Sequence, residues 1–131
     1  MGAASIVTRS GGGQRVLLVE DHLASATSLS RLLRLFGYRV RVERDGLAAV
    51  SAAVRFAPFA ALIDLTLPSL DGFGVAERLR SAPVTRDALL IAMTGWATEE
   101  HQTRAREAGF DKHLVKPISV DILMDALATH V

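Results

Sequence analysis

The chain has 131 residues, a length that suits one domain with a single substantial core. Half of the residues are hydrophobic, and the formal net charge of +1 gives no support for attraction to nucleic acid or to an acidic membrane surface. With no cysteine, disulfides, thiolate metal sites and a cysteine nucleophile are excluded. No apolar run reaches the roughly 18–20 residues that cross a bilayer. We therefore expect a cytoplasmic protein with no membrane insertion and no direct nucleic-acid binding.

The N-terminal stretch MGAASIVTRSGGGQ does not resemble a signal peptide, because no apolar core follows a basic start. Residues 1–14 are predicted to form a flexible tail or linker. Residues 15–131 are predicted to form one domain, since neither an internal repeat nor a second domain is visible in the pattern.

The first half of the domain alternates between strand and helix patterns. Residues 15–19 form a short apolar run, which is typical of a strand buried on both faces. Apolar residues at helical spacing predict a helix over residues 22–36, followed by a glycine. Residues 38–42 alternate and predict an edge strand. Asp45 is then expected to cap a second helix that stops before Pro58.

The second half repeats this rhythm. It contains three predicted strands and three predicted helices: strands near 59–64, 88–93 and 113–115, and helices over 73–79, over 98–108 and after Ser119. Strands that alternate with helices indicate a parallel sheet with right-handed crossovers. We predict an α/β fold, a three-layer (βα)5 doubly wound parallel sheet.

Polar residues directly follow four of the apolar runs: Glu20 with Asp21, then Asp64, Thr94 and Lys116. In a doubly wound sheet, ligands bind beyond the carboxyl ends of the strands. Three carboxylates meeting there would raise one another's pKa or require a cation. Hard oxygen ligands without His or Cys point to Mg²⁺.

Three of these residues also have an ordinary structural explanation. Asp21 is suited to cap the following helix, Lys116 is suited to be a solvated lysine, and Thr94 is suited to end a strand. Together, however, a cation site, a lysine and a hydroxyl match the needs of phosphoryl transfer, whose transition state spreads negative charge over oxygens. Asp64 is then the candidate nucleophile that forms an aspartyl phosphate.

Four motifs in chain order make the sequence similar to the response-regulator receiver domains of two-component signalling: VLLVED (16–21), ALIDLTLPSLDG (61–72), MTG (93–95) and LVKP (114–117). The likeness extends from Gln14 to Val131. It implies a flavodoxin-like or CheY-like sheet with strand order 2-1-3-4-5. It also implies that Mg²⁺ is bound by Glu20, Asp21, Asp64 and the backbone carbonyl of Thr66.

The resemblance further implies a signalling switch and not an enzyme, apart from its own phosphorylation and slow dephosphorylation. The phosphoryl group would reach Asp64 from a histidine kinase or a histidine phosphotransfer protein. Thr94 and the residue at position 113 would then shift together and remodel the surface of the fourth helix, fifth strand and fifth helix. The Lys116–Pro117 peptide bond is often cis in this family.

No DNA-binding or catalytic effector segment is recognised after Val131. We expect either a stand-alone receiver or one cut from a larger protein, with an unknown downstream output protein or domain.

Three positions differ from the commonest family pattern. Glu20 replaces an aspartate and keeps its charge. His113 stands where Tyr or Phe is usual. The part of the switch formed by residue 113 is therefore expected to work differently or to respond to pH. The third is Trp96, which together with Thr66 occupies the positions that, in receiver domains, flank the path of the hydrolytic water. We hypothesise that bulky Trp96 slows loss of the phosphoryl group; the alternative is a surface aromatic with no kinetic role.

Two other functions compete with this one. A receiver-like interaction module that signals without phosphorylation would lack the acidic pair, Asp64 or Lys116, and none is missing here. A haloacid-dehalogenase-like phosphatase generally has a second aspartate two residues after the nucleophile. This chain has Thr66 at that position, and it lacks a cap insertion.

Overall fold

A computed structural model of the chain describes residues 11–96 and 98–128. Within these residues strands and helices alternate in the predicted order. The bounds are β1 Arg15–Val19, α1 Leu23–Leu35, β2 Arg39–Glu43, α2 Gly46–Phe56, β3 Ala60–Asp64, α3 Gly72–Ser81, β4 Leu89–Thr94, α4 Glu99–Ala108, β5 Lys112–Val115 and α5 Val120–Ala128.

The five strands form one parallel sheet in the order β2-β1-β3-β4-β5, as predicted. The register places Val19 beside Ile63 and Asp64 beside Met93, so β1, β3 and β4 end at the same edge of the sheet. Thr94 pairs with Val115 and extends this edge to β5. The polar residues that follow these strands are therefore neighbours in space.

Helices cover both faces of the sheet and give the predicted three layers. Leu17 and Val19 pack with apolar residues of α2, α3 and α4. Val16 and Leu18 point to the opposite face and pack with residues of α1 and α5. Because successive strand residues point to opposite faces, a continuous apolar strand is the expected pattern for a doubly covered sheet.

The helix N-termini are capped by side chains close in sequence. Asp45 accepts a hydrogen bond from Ala48 N at the start of α2, and Asp71 accepts one from Gly74 N at the start of α3. At α1 the capping residue is His22, whose ring accepts from Ser25 N. The explanation of Asp21 as the cap of this helix is therefore wrong, and its carboxylate is left for another role.

Residues 1–10 of the predicted tail lie outside the described residues, so the domain boundary stays a prediction. Residues 11–14 of the predicted tail are described. There, Gly11 N donates to the Phe36 carbonyl at 2.5 Å, and Gly13 N donates to the Gly37 carbonyl at 2.8 Å. Among the helices that the structure describes, none combines the length and the apolar character needed to cross a membrane.

Candidate cation and phosphoryl site

Three acidic side chains converge where β1 and β3 end. Glu20, Asp21 and Asp64 each offer a carboxylate oxygen, and these oxygens lie within 4.8 Å of one another. Glu20 and Asp64 are buried, with 2% and 6% of their surface exposed, whereas Asp21 is exposed to solvent. We call these three residues the acidic cluster. The predicted convergence of the three carboxylates is therefore present in the fold.

Lys116 supplies the positive charge inside this cluster. Its Nζ lies 2.5 Å from Asp64 Oδ2 and 2.9 Å from Glu20 Oε1. The other Asp64 oxygen, Oδ1, accepts a hydrogen bond of 2.8 Å from Thr66 N. The buried carboxylate at the end of β3 is thus doubly satisfied, which removes most of the penalty for burying it. Lys116 is not the solvated strand-end lysine of the alternative explanation.

The pKa values show how strongly these groups interact. Burial raises the pKa of Glu20 above its ordinary value, and the neighbouring Asp64 adds to that rise, while the Lys116 ammonium and the His22 N–H oppose it. Burial by itself would lower the pKa of Lys116, but the hydrogen bonds and charges of Asp64 and Glu20 together raise it. Glu20 and Asp64 share the single ammonium of Lys116, and Asp21 lies beside them, so negative charge is in excess when all are ionised.

This donor set fits Mg²⁺. The cluster offers oxygen ligands alone, it carries excess negative charge, and one of its members is open to solvent, where bound water would remain. Mg²⁺ prefers a few carboxylates and keeps several of its waters. The residues that the chain places at this edge of the sheet are therefore chemically suited to the predicted ion.

The loop after β3 turns sharply beside Asp64. Gly72 N donates to the Leu65 carbonyl at 3.0 Å. A Cβ added at Gly72 would lie 2.7 Å from the Leu65 Cα, so a larger residue would displace the chain segment that carries Asp64. Glycine at this position is explained by that close approach.

Thr94 lies at the end of β4 and is buried. Its Oγ1 accepts a hydrogen bond of 3.0 Å from Trp96 N, so the hydroxyl is held at the start of the loop after β4. Lys116 N donates to the Thr94 carbonyl at 2.7 Å, which ties this strand end to the loop that carries Lys116. Thr94 therefore belongs to the same edge as the acidic cluster.

Trp96 and His113 are two further predicted site residues. Trp96 is 60% exposed and stacks on His101, with ring centroids 6.0 Å apart. His113 lies in β5 and is partly buried, and its Nε2 is buried with no hydrogen-bond partner among the described residues. Burial lowers the pKa of His113, and the charge of His101 lowers it further.

A groove opens beside Lys116, between α1 and the loop after β5. Its volume is about 560 Å³, and its lining includes Leu29 and Leu32 of α1 together with Pro117 and Ile118. The Lys116–Pro117 peptide bond is cis, as the family resemblance implied. Because Glu20 and Lys116 also line the groove, it opens at the edge of the sheet where the acidic cluster lies.

Sequence reasoning missed two sets of residues around the cluster. Arg44 donates two hydrogen bonds, of 3.3 and 3.1 Å, to the Asp21 carbonyl. Ser69 lies in the loop after β3 and forms hydrogen bonds with Leu47 and Asp45 at the start of α2. Both contacts join residues more than twenty positions apart, and no local pattern marks them.

A doubly wound five-stranded sheet with an acidic cluster and a lysine at its carboxyl edge defines the class of this protein. The chain matches the family model described as the response regulator receiver domain over residues 16–128. The chain therefore belongs to the receiver-domain family of two-component systems, whose members are signalling modules and not classical enzymes.

Curated relatives include both response regulators and sensor kinases. The chain is 31% identical over 110 residues to the DNA-binding dual master transcriptional regulator RpaA of Synechocystis sp., covering 84% of this chain and 46% of that protein. It is 30% identical over 115 residues to the sensor histidine kinase RcsC of Salmonella typhimurium, covering 88% of this chain and 12% of that protein. The chain spans less than half the length of either relative.

Solved structures show the same fold. The receiver domain of the sensor histidine kinase PA1611 from Pseudomonas aeruginosa, whose crystal structure has a magnesium ion coordinated in the active site cleft, is 35% identical with a TM-score of 0.83. That match covers 89% of this chain and 96% of that one. The chemotaxis protein CheY4 of Vibrio cholerae is 23% identical with a TM-score of 0.86, over 91% of this chain and 99% of that one, and supports the fold alone.

Proposed function

We propose that this chain is a Mg²⁺-dependent phosphorylation switch whose phosphoacceptor is Asp64. The observation that carries the proposal is the position of the Asp64 carboxylate, buried at the end of β3 and 2.5 Å from the Lys116 ammonium within the acidic cluster. A carboxylate held beside a cation in a mostly water-excluded site is pre-positioned for nucleophilic attack on phosphorus.

The proposed metal ligands are the carboxylates of Glu20, Asp21 and Asp64 and the backbone carbonyl of Thr66. Bound Mg²⁺ would supply positive charge to the phosphoryl oxygens. Lys116 would move its ammonium from the Asp64 carboxylate to a phosphoryl oxygen, since phosphorylation turns that carboxylate into an acyl phosphate. The Thr94 hydroxyl would donate to another phosphoryl oxygen.

The proposed reaction balances without further cofactors. An oxygen of the Asp64 carboxylate attacks the phosphorus of a phosphohistidine, a P–O bond forms and the P–N bond breaks. The electron pair of that bond stays on the imidazole nitrogen, which takes a proton from solvent. The domain would contribute positioning and charge stabilisation, which are the main sources of catalysis in phosphoryl transfer.

The proposed phosphodonor is a histidine kinase or a histidine phosphotransfer protein in the cytoplasm. The groove beside Lys116 supports this choice, because its apolar lining from α1 and the loop after β5 lies next to the acidic cluster. A docked partner would cover the site and exclude water during transfer. Movement of Thr94 and His113 would then alter the surface of α4, β5 and α5 that an output partner contacts.

The test is phosphorylation by acetyl phosphate followed by intact-mass measurement. We expect one phosphoryl group to be added to the wild type in the presence of Mg²⁺, and none to Asp64→Asn or in the presence of excess chelator. Asp87→Asn is the matched control, because Asp87 is an exposed aspartate in the turn before β4, outside the acidic cluster. An adduct that persists in Asp64→Asn would refute the assignment. No adduct from either acetyl phosphate or a kinase would favour a phosphorylation-independent interaction module.

A further inference from the structure

The loop that leaves β3 is fastened to the first residues of α2. Gly46 N donates to the Pro68 carbonyl at 3.3 Å, and Leu47 N donates to Ser69 Oγ, also at 3.3 Å. The Ser69 hydroxyl donates in turn to the Asp45 carboxylate. We call these five residues the loop latch. It uses two orphan N–H groups of the helix N-terminus to hold a loop instead of water.

The backbone at Ser69 supports a specific role for this residue. Its φ is +65°, a left-handed conformation that disfavours residues with a Cβ by about 1–2 kcal/mol. The hydroxyl of Ser69 compensates, because it accepts from one residue of α2 and donates to another. Ser69 therefore occupies a strained position at which its side chain is used twice.

Gly46 makes the close contact between helix and loop possible. A Cβ added at Gly46 would lie 2.8 Å from the carbonyl carbon of Leu70 and 2.9 Å from its Cβ. Such a contact requires the loop to move away from the helix. The close approach of the loop to α2 therefore depends on the glycine at position 46. The hydrogen bonds of the latch then fix the loop in place.

The latch lies close along the chain to the proposed metal ligand of this loop. Thr66 is three residues before Ser69, and its N–H is bonded to Asp64 Oδ1 at 2.8 Å. The segment is therefore held at one end by the acidic cluster and at the other by α2. Only two residues, Leu67 and Pro68, lie between these fixed points, so the Thr66 carbonyl has little freedom to change its direction.

We propose that Asp45 and Ser69 are positioning residues that set the affinity of the site for Mg²⁺ by pre-ordering the loop that carries Thr66. This inference rests on the proposed metal site. Ordering a free residue costs about 1–2 kcal/mol, and metal binding no longer bears that cost when the loop is already ordered. Residues that orient metal ligands typically change affinity by about 10–100-fold when they are removed.

Ser69→Gly separates this role from a contribution to general stability. Glycine adopts the left-handed conformation without strain, so we expect the melting temperature of the metal-free variant to be equal to or above that of the wild type. The lost hydroxyl frees the loop, so we expect Mg²⁺ affinity to fall about tenfold. A stability that is kept while affinity falls is the opposite of what a merely structural serine would show.

The experiment titrates Mg²⁺ into each variant by calorimetry and by the fluorescence of Trp96, the only tryptophan. Hydrogen exchange of the backbone amides of residues 66, 67, 69 and 70 in the metal-free protein gives a second readout, and this exchange should accelerate in Ser69→Gly. Ser69→Asn should keep much of the Mg²⁺ affinity that Ser69→Gly loses. Asparagine tolerates the left-handed region, and its side-chain oxygen accepts from an N–H. Ser81→Gly is the control, since that hydroxyl donates to the Glu77 carbonyl at the far end of α3.

Asp45→Asn provides a coupling test, because asparagine still caps a helix. On its own this variant should weaken Mg²⁺ binding, and in the Ser69→Gly background it should add little further loss. Equal Mg²⁺ affinity and equal loop exchange in wild type and Ser69→Gly would overturn the latch proposal alone. Failure of the wild type to bind Mg²⁺ would overturn the proposed metal site itself.

Discussion

The two ends of the sheet both hold a partly buried cation, but they use it differently. At the carboxyl end, Lys116 contacts the carboxylates of Glu20 and Asp64, and Asp21 lies beside these two acids. At the amino end, Arg80 donates to the carbonyls of Arg86, Ala88 and Gly109 at 2.7–2.9 Å, and to the carboxylate of Asp111 at 2.7 Å.

The difference lies in the balance of charge. The Arg80 guanidinium makes four hydrogen bonds, three to neutral carbonyls and one to the Asp111 carboxylate, so its charge is matched and no excess charge remains. Lys116 faces more negative charge than it can neutralise. Burial alone therefore does not distinguish Arg80 from Lys116, whereas the charge left over beside the cation does.

The largest effect on stability is expected from Arg80→Ala. Removing the guanidinium leaves carbonyls of three residues without their donor, and we expect the free energy of unfolding to fall by about 3 kcal/mol. Urea denaturation measures this loss. Mg²⁺ affinity of the folded protein should stay unchanged, and Arg78→Ala, an exposed arginine of the same helix, is the control. A tenfold change in Mg²⁺ affinity would contradict the separation between the two ends.

Mg²⁺ should stabilise the protein through the carboxyl end alone. At a free Mg²⁺ concentration one hundred times its dissociation constant, we expect an increase of about 2.7 kcal/mol in the free energy of unfolding. Asp21→Asn should lose most of this increase because a ligand is removed. Arg80→Ala should keep it, since distant sites contribute additively. Urea denaturation with and without Mg²⁺ decides; a reduced increase in Arg80→Ala would show that the two ends are coupled.

His113 is a third partly buried basic side chain. Unlike Lys116 and Arg80, its buried Nε2 has neither a carboxylate nor a carbonyl partner among the described residues. Its pKa is lowered in the folded state from an ordinary value of 6.5. As the pH falls, the unfolded chain therefore takes up the proton before the folded protein does. The contribution of His113 to the free energy of unfolding should be fully present above pH 6.5. Below that value stability should fall, by at most about 1.4 kcal/mol per pH unit, until the lowered folded pKa is reached.

His113→Phe should remove this dependence and raise stability at pH 7 by about 1 kcal/mol, because no buried nitrogen is left without a partner. The measurement is urea denaturation of both proteins in metal-free buffer between pH 5 and 8. The difference between the two curves isolates His113 from the other titrating groups. A constant difference across that range would show that the histidine does not titrate as the lowered pKa requires.

The smallest effect is expected from Trp96→Ala. If the exposed indole shields the phosphoryl group from water, its removal should shorten the phosphoryl lifetime about threefold, or about 0.65 kcal/mol in the barrier. His101→Ala tests whether the stacked ring holds the indole in place, and we expect a smaller change in the same direction. An unchanged lifetime in Trp96→Ala would make Trp96 a surface aromatic with no kinetic role.

Most of the fold was predictable because strands and helices leave local signatures. Continuous apolar runs predicted buried strands, and helical spacing predicted the helices, with errors of one or two residues at their ends. The alternating pattern of residues 38–42 predicted an edge strand, and β2 lies at the edge of the sheet. Asp45 was predicted as a cap because capping is a contact between near neighbours in the chain.

The acidic cluster was predictable for a geometrical reason. Parallel strands end at the same edge, so residues that follow different strands become neighbours whatever their separation in sequence. Sequence reasoning failed for the cap of α1, because the one candidate it named was Asp21, whereas the side chain that caps this helix is that of His22. It also failed for the second contact of Asp45, which depends on the position of a loop.

The sequence by itself therefore determined the alternation of elements, the two apolar faces of the sheet and the set of polar residues at its carboxyl edge, because each depends on neighbours along the chain or on the common direction of parallel strands. Only the tertiary structure decided which donor meets which acceptor. The pairing of Lys116 with Asp64 and Glu20, the carbonyl contacts of Arg80 and the bonds of Ser69 to α2 join residues 6 to 96 positions apart. Such contacts are set by how helices and loops pack on the sheet, which no local pattern specifies.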